Sequence, residues 1–359
     1  MFRPPYCPNP DCVAHDQPEG TFFTKAGSFR PKCRPWPVPR FLCKHCGKSF
    51  SRQTFRADYR DHRPSLNAAV VSWLASGCGL RQTARELGIR RRNLELKSRK
   101  IARHLRMLHE NLSGEFVGDV VFQLDEMETF EGCRSTRPLT LPVLIEQESM
   151  FIVDARCGPI RPSGKMTPKR RAAIAREEAR DGRRPNRSNE CVGKVLAAAA
   201  KRCAGAESIT FCTDRKRTYP RLIRDAFSGQ WFSGQRLTHL RISSKQPRDT
   251  RNPLFRINLM NAIARDLCGR LRRRSWLVSK KGQYLELQLG ILIAYRNYHR
   301  PRFNKDRETP AMLMGFVDDR LSRTELLSWR QDRGPERSLH PLSHRLETVS
   351  EYRRRRSAA

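Results

Sequence analysis

With 359 residues the chain has room for two or three domains. Its 71 Lys and Arg oppose only 36 Asp and Glu, a formal net charge of +35; such an excess repels itself in a compact fold and attracts polyanions. No run of about 18 apolar residues occurs, and the N-terminus, MFRPPYCPNPDC, lacks the apolar core of an export signal, so no membrane partner is expected and the predicted location is the cytoplasm, associated with the nucleoid. Arginine supplies 56 of the 71 cations. Its planar fork suits phosphate better than the point charge of lysine, although a GC-rich genome would give the same bias. Either way the charge remains, and nucleic acid is the favoured partner.

The 12 cysteines are unevenly placed. Cys7 and Cys12 bracket PNPD, and Cys43 and Cys46 bracket KH ahead of GKSF. Two close pairs on tight turns can face each other and complete a tetrahedral site of four thiolates, which predicts a structural Zn2+. Between the pairs, Phe22, Phe23, Phe29, Trp36, Val38 and Phe41 lie among turn residues and predict short strands. So small a unit buries too little apolar surface to fold without its metal. Residues 1–60 are therefore expected to form a zinc ribbon, with His15 and Cys33 as weaker ligand candidates. The remaining cysteines are isolated and fit buried thiols in a reducing compartment.

Residues 61–112 predict a helix-turn-helix. Pro64-Ser65 opens a helix with Leu66, Val70, Trp73 and Leu74 on one face, and Gly77 and Gly79 break it. A short helix from Leu80 ends at Gly88, and a basic helix follows with Leu94, Ile101, Leu105 and Leu108 on its inner face. In such a unit the last helix enters the major groove, so Arg90, Arg91, Arg92, Asn93, Lys97, Arg99 and Lys100 are candidates for phosphate or base contacts.

From about residue 117 the pattern becomes α/β, and a domain over 117–318 is expected. Val120–Leu124 reads as a strand running into Asp125, and LPVLIEQ and SMFIVDAR as two more strands. A basic insertion at about 158–187 shows little apolar periodicity. CVGKVLAAAAKRC is then a helix, ESITFCTD a strand ending in Asp214, TYPRLIRDAF a helix and LTHLRIS a strand, followed by helical sequence from Asn258. Two aspartates at adjacent strand ends can share Mg2+ or Mn2+ for phosphoryl transfer. Glu126, Glu128 and Glu131 lie near Asp125 but are assigned to supporting or surface roles.

CKHCGKSF, the helical segment after it, LDEMETF, TDRKRTY and RLRRRSWLVSKK occur in an order that resembles transposases of the insertion sequence one family, and YRNYHRPR…ETPAMLMG is similar to the closing segment of many DDE transposases. The resemblance spans nearly the whole chain. It implies a ribonuclease H-like catalytic domain that cleaves and joins DNA strands, with Mg2+ or Mn2+ as cofactor, double-stranded DNA (element ends and target) as partner, and a homo-oligomer assembled on that DNA. Counting back from RLRRRSWLVSKK, the family's catalytic Glu falls on Asn258, so Asp125, Asp214 and Asn258 are the implied catalytic set. Asp266, eight residues on along a helix or about 12 Å, is too far to replace the same ligand. On this alignment Arg265 faces phosphate, and Arg272, Arg273 and Lys280, within the Arg270–Arg274 and Lys280-Lys281 runs, form a DNA-facing ridge. The polar stretch 331–359, with RRRR at 353–356, is expected to be a disordered tail that adds non-specific DNA affinity.

Overall fold

The computed structural model describes residues 2–9, 11–30, 36–228, 234–243, 245–247, 249–272 and 276–329. Cys33, Arg273 and the 331–359 tail lie outside the described residues. Among the described residues no helix is long and apolar enough to cross a membrane.

The N-terminal unit is a small antiparallel sheet with a cysteine cluster. One helical turn, α1 (Val13–Asp16), precedes β1 (Phe23–Phe29), β2 (Val38–Cys43) and β3 (Ser49–Ser51), which pair in that order. Tyr6, Phe22, Phe41, Phe50 and Phe55 are buried with Cys7, Cys12 and Cys43 in a cluster of their own. Phe50 packs on Phe41 at 6.0 Å and edge-on to Phe55 at 6.2 Å. Aromatic rings supply much apolar area per residue, which is how so short a segment assembles a core beside the cysteines.

Three helices follow: α2 (Asn67–Ala75), α3 (Leu80–Glu86) and α4 (Arg91–Leu112). The expected inner face of α4, Leu94, Ile101, Leu105 and Leu108, is buried. Part of what covers it was not expected from the sequence. These leucines, with Val70 and Leu74 of α2, belong to one apolar cluster with Phe122, Leu124, Val195 and Phe211 of the α/β region. The change of pattern near residues 112–117 thus divides the chain but not the core.

The α/β region is built on a mixed sheet. Strands β4 (Gly118–Phe130), β5 (Pro138–Glu146), β6 (Ile152–Ala155) and the short β7 (Gly158–Pro159) come first. They are followed by α5 (Pro168–Asp181), α6 (Ser188–Ala200), β8 (Ala206–Thr213), α7 (Tyr219–Ala226), β9 (Arg236–Arg241), α8 (Phe255–Leu267) and α9 (Gly282–Ala294). The order across the sheet is β6-β5-β4-β8-β9, with β7 paired to β5. β4–β5 and β5–β6 pair antiparallel, whereas β4–β8 and β8–β9 are parallel. Val120, Phe122 and Leu124 on one face of β4 share a cluster with α6 and α7; Leu141, Val143 and Ile145 of β5 share a second with α8 and α9. The basic insertion contains α5, a helix with no buried residue, started by the Thr167 side chain accepting from the Arg170 N–H and by Pro168 in its first turn, and ended at Gly182. Amphipathic periodicity could not announce it, because it is not held by an apolar face; Arg137 ties it to the sheet through Glu177 at 2.8 Å.

Two short helices, α10 (Pro310–Leu313) and α11 (Arg323–Ser328), complete the described chain. The YRNYHRPR segment secures the edge strand. Asn297, fully buried, accepts from the Ile152 N–H at 2.9 Å and donates to the Ile152 carbonyl at 2.8 Å, while the Arg296 guanidinium donates to the carbonyls of Pro301 and Arg302.

Candidate functional site

Four sulfurs meet in the N-terminal unit. Those of Cys7, Cys12, Cys43 and Cys46 all lie within 4.8 Å of one another; Cys7 and Cys46 are 3.6 Å apart and Cys12 and Cys43 3.7 Å. A tetrahedral zinc centre with bonds of about 2.3 Å spaces its sulfurs by about 3.8 Å, so the cluster has the dimensions to hold one structural ion such as zinc. Local backbone sets it up. The Gly47 N–H donates to the Cys43 carbonyl at 3.0 Å, and Gly47 sits at φ +66°, a left-handed conformation that glycine adopts without strain. Burial pushes the Cys7 and Cys12 thiols up from the ordinary range. Burial also acts on Cys46, but the Lys48 N–H and neighbouring sulfurs outweigh it and bring that thiol down to about 7. His15 is not among the four; it donates through Nδ1 to the Cys7 carbonyl at 2.7 Å.

A second site forms where β4 and β8 run side by side. They pair in parallel with Leu124 opposite Thr213, so Asp125 and Asp214, the next residue in each case, are neighbours. Asp214 lies just past the end of β8, whereas Asp125 lies inside β4, which the sequence predicts to end here but which runs on to Phe130 in pairing with β5. Burial raises the Asp125 carboxyl above the usual range, the Asp214 charge raises it further, and the Asn261 amide opposes both. One Asp214 oxygen accepts from the Lys216 N–H at 2.9 Å.

The residue that α8 brings to Asp125 is Asn261. Its Nδ2 donates to Asp125 Oδ2 at 2.7 Å, and its Oδ1 is buried without a hydrogen-bond partner. Asn258 instead donates back to the Leu254 carbonyl of its own helix at 2.9 Å. The docking of α8 explains the difference. Gln123, buried in β4, accepts from the Ile257 N–H at 2.8 Å and donates to the Pro253 carbonyl at 2.6 Å, which fixes the start of α8 on the strand. From Gln123 to Asp125 the strand advances two residues, about 6.6 Å, on one face. From Ile257 to Asn261 the helix advances four residues, about 6 Å, also on one face. The two rises match, so Asn261 meets Asp125, while Asn258 is turned about 100° from Ile257. A buried glutamine two residues before Asp125, amid apolar neighbours, is the sequence signal that sets this register.

The nearby glutamates have other work. Glu126 points to the opposite face and gathers four donors: Thr140 Oγ1 at 2.6 Å, Ser188 Oγ at 2.8 Å, Tyr219 OH at 3.0 Å and the Lys216 ammonium. Burial alone would raise its carboxyl, but Lys216 and Thr140 hold it below the usual range. It thereby pins the first residues of α6 and α7. Glu131 accepts from Arg184 at 3.0 Å, Glu128 is exposed, and Glu286 accepts from the Cys157 N–H at 2.6 Å. Among the described residues the cysteines form the only group of three or more Cys, His, Asp or Glu ligands close enough to share an ion; the β4–β8 site has two carboxylates and an amide.

The predicted basic residues divide. Arg90, Arg91, Arg92 and Asn93 are exposed at the start of α4. Further along, Lys97 is enclosed by Asp61 at 2.5 Å, the Arg63 carbonyl and Asn67. Arg99 donates to Glu95 and to Tyr284 OH and lies over the Tyr284 ring at 4.7 Å. Lys100, although exposed, donates to the Tyr59 carbonyl at 2.7 Å. Of the later ridge, Arg272, Lys280 and Lys281 are exposed, whereas Arg265 is half-buried one turn beyond Asn261. Arg270 turns inward and donates to Gln288 at 2.6 Å and Ser279 at 3.1 Å; burial lowers its guanidinium from the ordinary value.

Comparison with protein-family models gave no match, and comparison with curated proteins gave no significant one.

Proposed function

We propose that this chain is a metal-dependent enzyme of the ribonuclease H-like class, acting on polynucleotides. More narrowly, we read it as a DDE-type DNA transposase that binds the ends of a bacterial insertion sequence and cleaves and joins DNA strands. The observation that carries the reading is the placement of Asp125, within β4, beside Asp214, just past the end of the parallel strand β8, in a sheet whose first three strands are antiparallel. The orphaned Oδ1 of Asn261 and the mutual repulsion of the two carboxylates both fit a divalent cation, for which hard oxygen donors are the preferred ligands. Asp125, Asp214 and Asn261 would hold Mg2+ or Mn2+. When bound, such ions polarise the phosphate together with its attacking and leaving oxygens. Asn261 orients the Asp125 carboxylate, and Glu126 holds β4 from the other face. The exposed first turn of α4, following α3 across a glycine turn, suits the recognition helix of a helix-turn-helix, and the zinc-held unit steadies the segment before it.

One observation favours a second reading. The third corner carries an amide in place of a charged carboxylate, which weakens cation binding, and a DNA-binding protein derived from a transposase and without catalysis would have the same architecture. The test uses the full chain, Mg2+ or Mn2+, and labelled duplexes taken from inverted repeats flanking the reading frame. Cleaved ends joined to a target duplex are the expected result. Cutting without joining would make the protein a nuclease, and binding without cutting would favour the second reading.

A further inference from the structure

Trp276 is 96% exposed, the most exposed of the large apolar side chains among the described residues. It stands on the rim of a groove of about 670 Å³ between α3, the first turn of α4 and the segment leading into α9. The groove is basic. Arg81, Arg85 and Arg91 line one side and Lys280 the other, all four exposed, and none forms an ion pair with a described residue. The one acid in the lining, Glu95, is paired with Arg99.

The rim is anchored despite its exposure. Leu277, next to Trp276, packs so closely on Gly79 that a Cβ there would lie 2.3 Å from a Leu277 methyl, and one on Gly269 would lie 2.8 Å from the other. The backbone carrying the indole is thus clamped at the seam between the helical unit and the α/β region. Tyr284, the other aromatic of the groove, is already occupied by Arg99.

We propose that this groove holds an unpaired nucleotide of a DNA strand, its base stacked on Trp276 and the adjoining phosphates met by Arg81, Arg85, Arg91 and Lys280. The inference rests on the DNA-processing function proposed above. Cations on both rims match the repeated charge of a polynucleotide backbone, and an exposed indole is a stacking platform that tolerates any base. Within a duplex the base faces are already covered by their neighbours, so a stacking platform selects for a base that has left the helix.

The test measures binding of the full chain at low salt to a short duplex of arbitrary sequence, either blunt or with a few unpaired nucleotides at one end. Wild type is expected to bind the frayed duplex more tightly. Trp276→Ala should lose about tenfold on the frayed duplex, the order expected for one stacked base, and keep its affinity for the blunt one; Trp276→Phe should retain part of the preference. Because the side chain lies in solvent, an unchanged melting temperature verifies the fold of each variant. Equal binding of both duplexes by wild type, or an unchanged preference in Trp276→Ala, overturns the groove assignment and leaves the proposed function standing, as it would if the groove received a protein segment. Failure of wild type to bind either duplex overturns both.

Discussion

The two metal-binding candidates of this chain are built in opposite ways. In the cysteine cluster four identical donors already stand within 4.8 Å of one another, three of them buried, among rings that form a separate core. At the β4–β8 site two carboxylates repel each other, a neutral amide supplies the third corner, and one of its polar atoms has no partner. The first arrangement is closed and suits an ion that stays for structural reasons. The second is open and short of ligands, as a site must be if phosphate oxygens are to complete it.

The largest effect should come from breaking the closed site. Cys43→Ser removes one of four thiolates, and since binding of structural zinc is worth on the order of 10 kcal/mol in small metal-dependent folds, the N-terminal unit should lose both its ion and its protection from proteolysis. Metal analysis of the purified protein should fall from about one zinc per chain to none; a wild-type protein without zinc in reducing buffer would remove the ion from the account. Next in size are Asp125→Ala and Asp214→Ala. Each should lower strand cleavage by at least about a thousandfold, the several kcal/mol a ligand to catalytic ions supplies, with zinc content and DNA binding unchanged. Wild-type cleavage by either variant would move the centre elsewhere.

The third corner should show a smaller and more discriminating effect. Asn261→Ala takes away the donor to Asp125 and is expected to cost roughly 1–3 kcal/mol in cleavage. Asn258→Ala loses only a bond within its own helix and should stay within about 0.5 kcal/mol. The reverse order in a cleavage assay would reinstate Asn258. Smallest is a pH effect. Asp125 has a folded pKa above its unfolded value, so without divalent ions its contribution to stability is present at low pH and declines as pH rises through the window between the two values. Glu126 is shifted the other way, and its contribution is lost as pH falls through its lowered folded value. A cation competes with the proton on Asp125, so the rise in melting temperature on adding Mg2+ should be larger at neutral than at acid pH. An increment independent of pH would sever Asp125 from the metal.

Features that depend on local spacing were legible in the sequence. The cysteine pairs, the first half of β4, the strand ending at Asp214 and the three helices after residue 64 all follow from turns and periodicity within a dozen residues, whereas the continuation of β4 through Asp125 to Phe130 rests on its pairing with β5. What escaped depends on how distant elements dock. Lys97, Arg99 and Arg270 look like free cations in the sequence, but Asp61, Tyr284 and Gln288, each from another segment, claim them. α8 presents Asn261, not Asn258, to Asp125 because Gln123 sets where the helix rests on β4, a long-range register that counting along one helix cannot supply.

The contact between α4 and α9 has a mechanical consequence. Gly290 lets the two helices touch: a Cβ there would lie 2.5 Å from the Ala102 carbonyl oxygen. With 22 residues, α4 is a rod about 33 Å long, welded along its flank to the scaffold that carries the carboxylates. A partner gripped by its exposed first turn, as the proposed function requires, would therefore be held at a set span from Asp125, as on the fixed jaw of a caliper, and a flexible tether between the two would leave that span to chance.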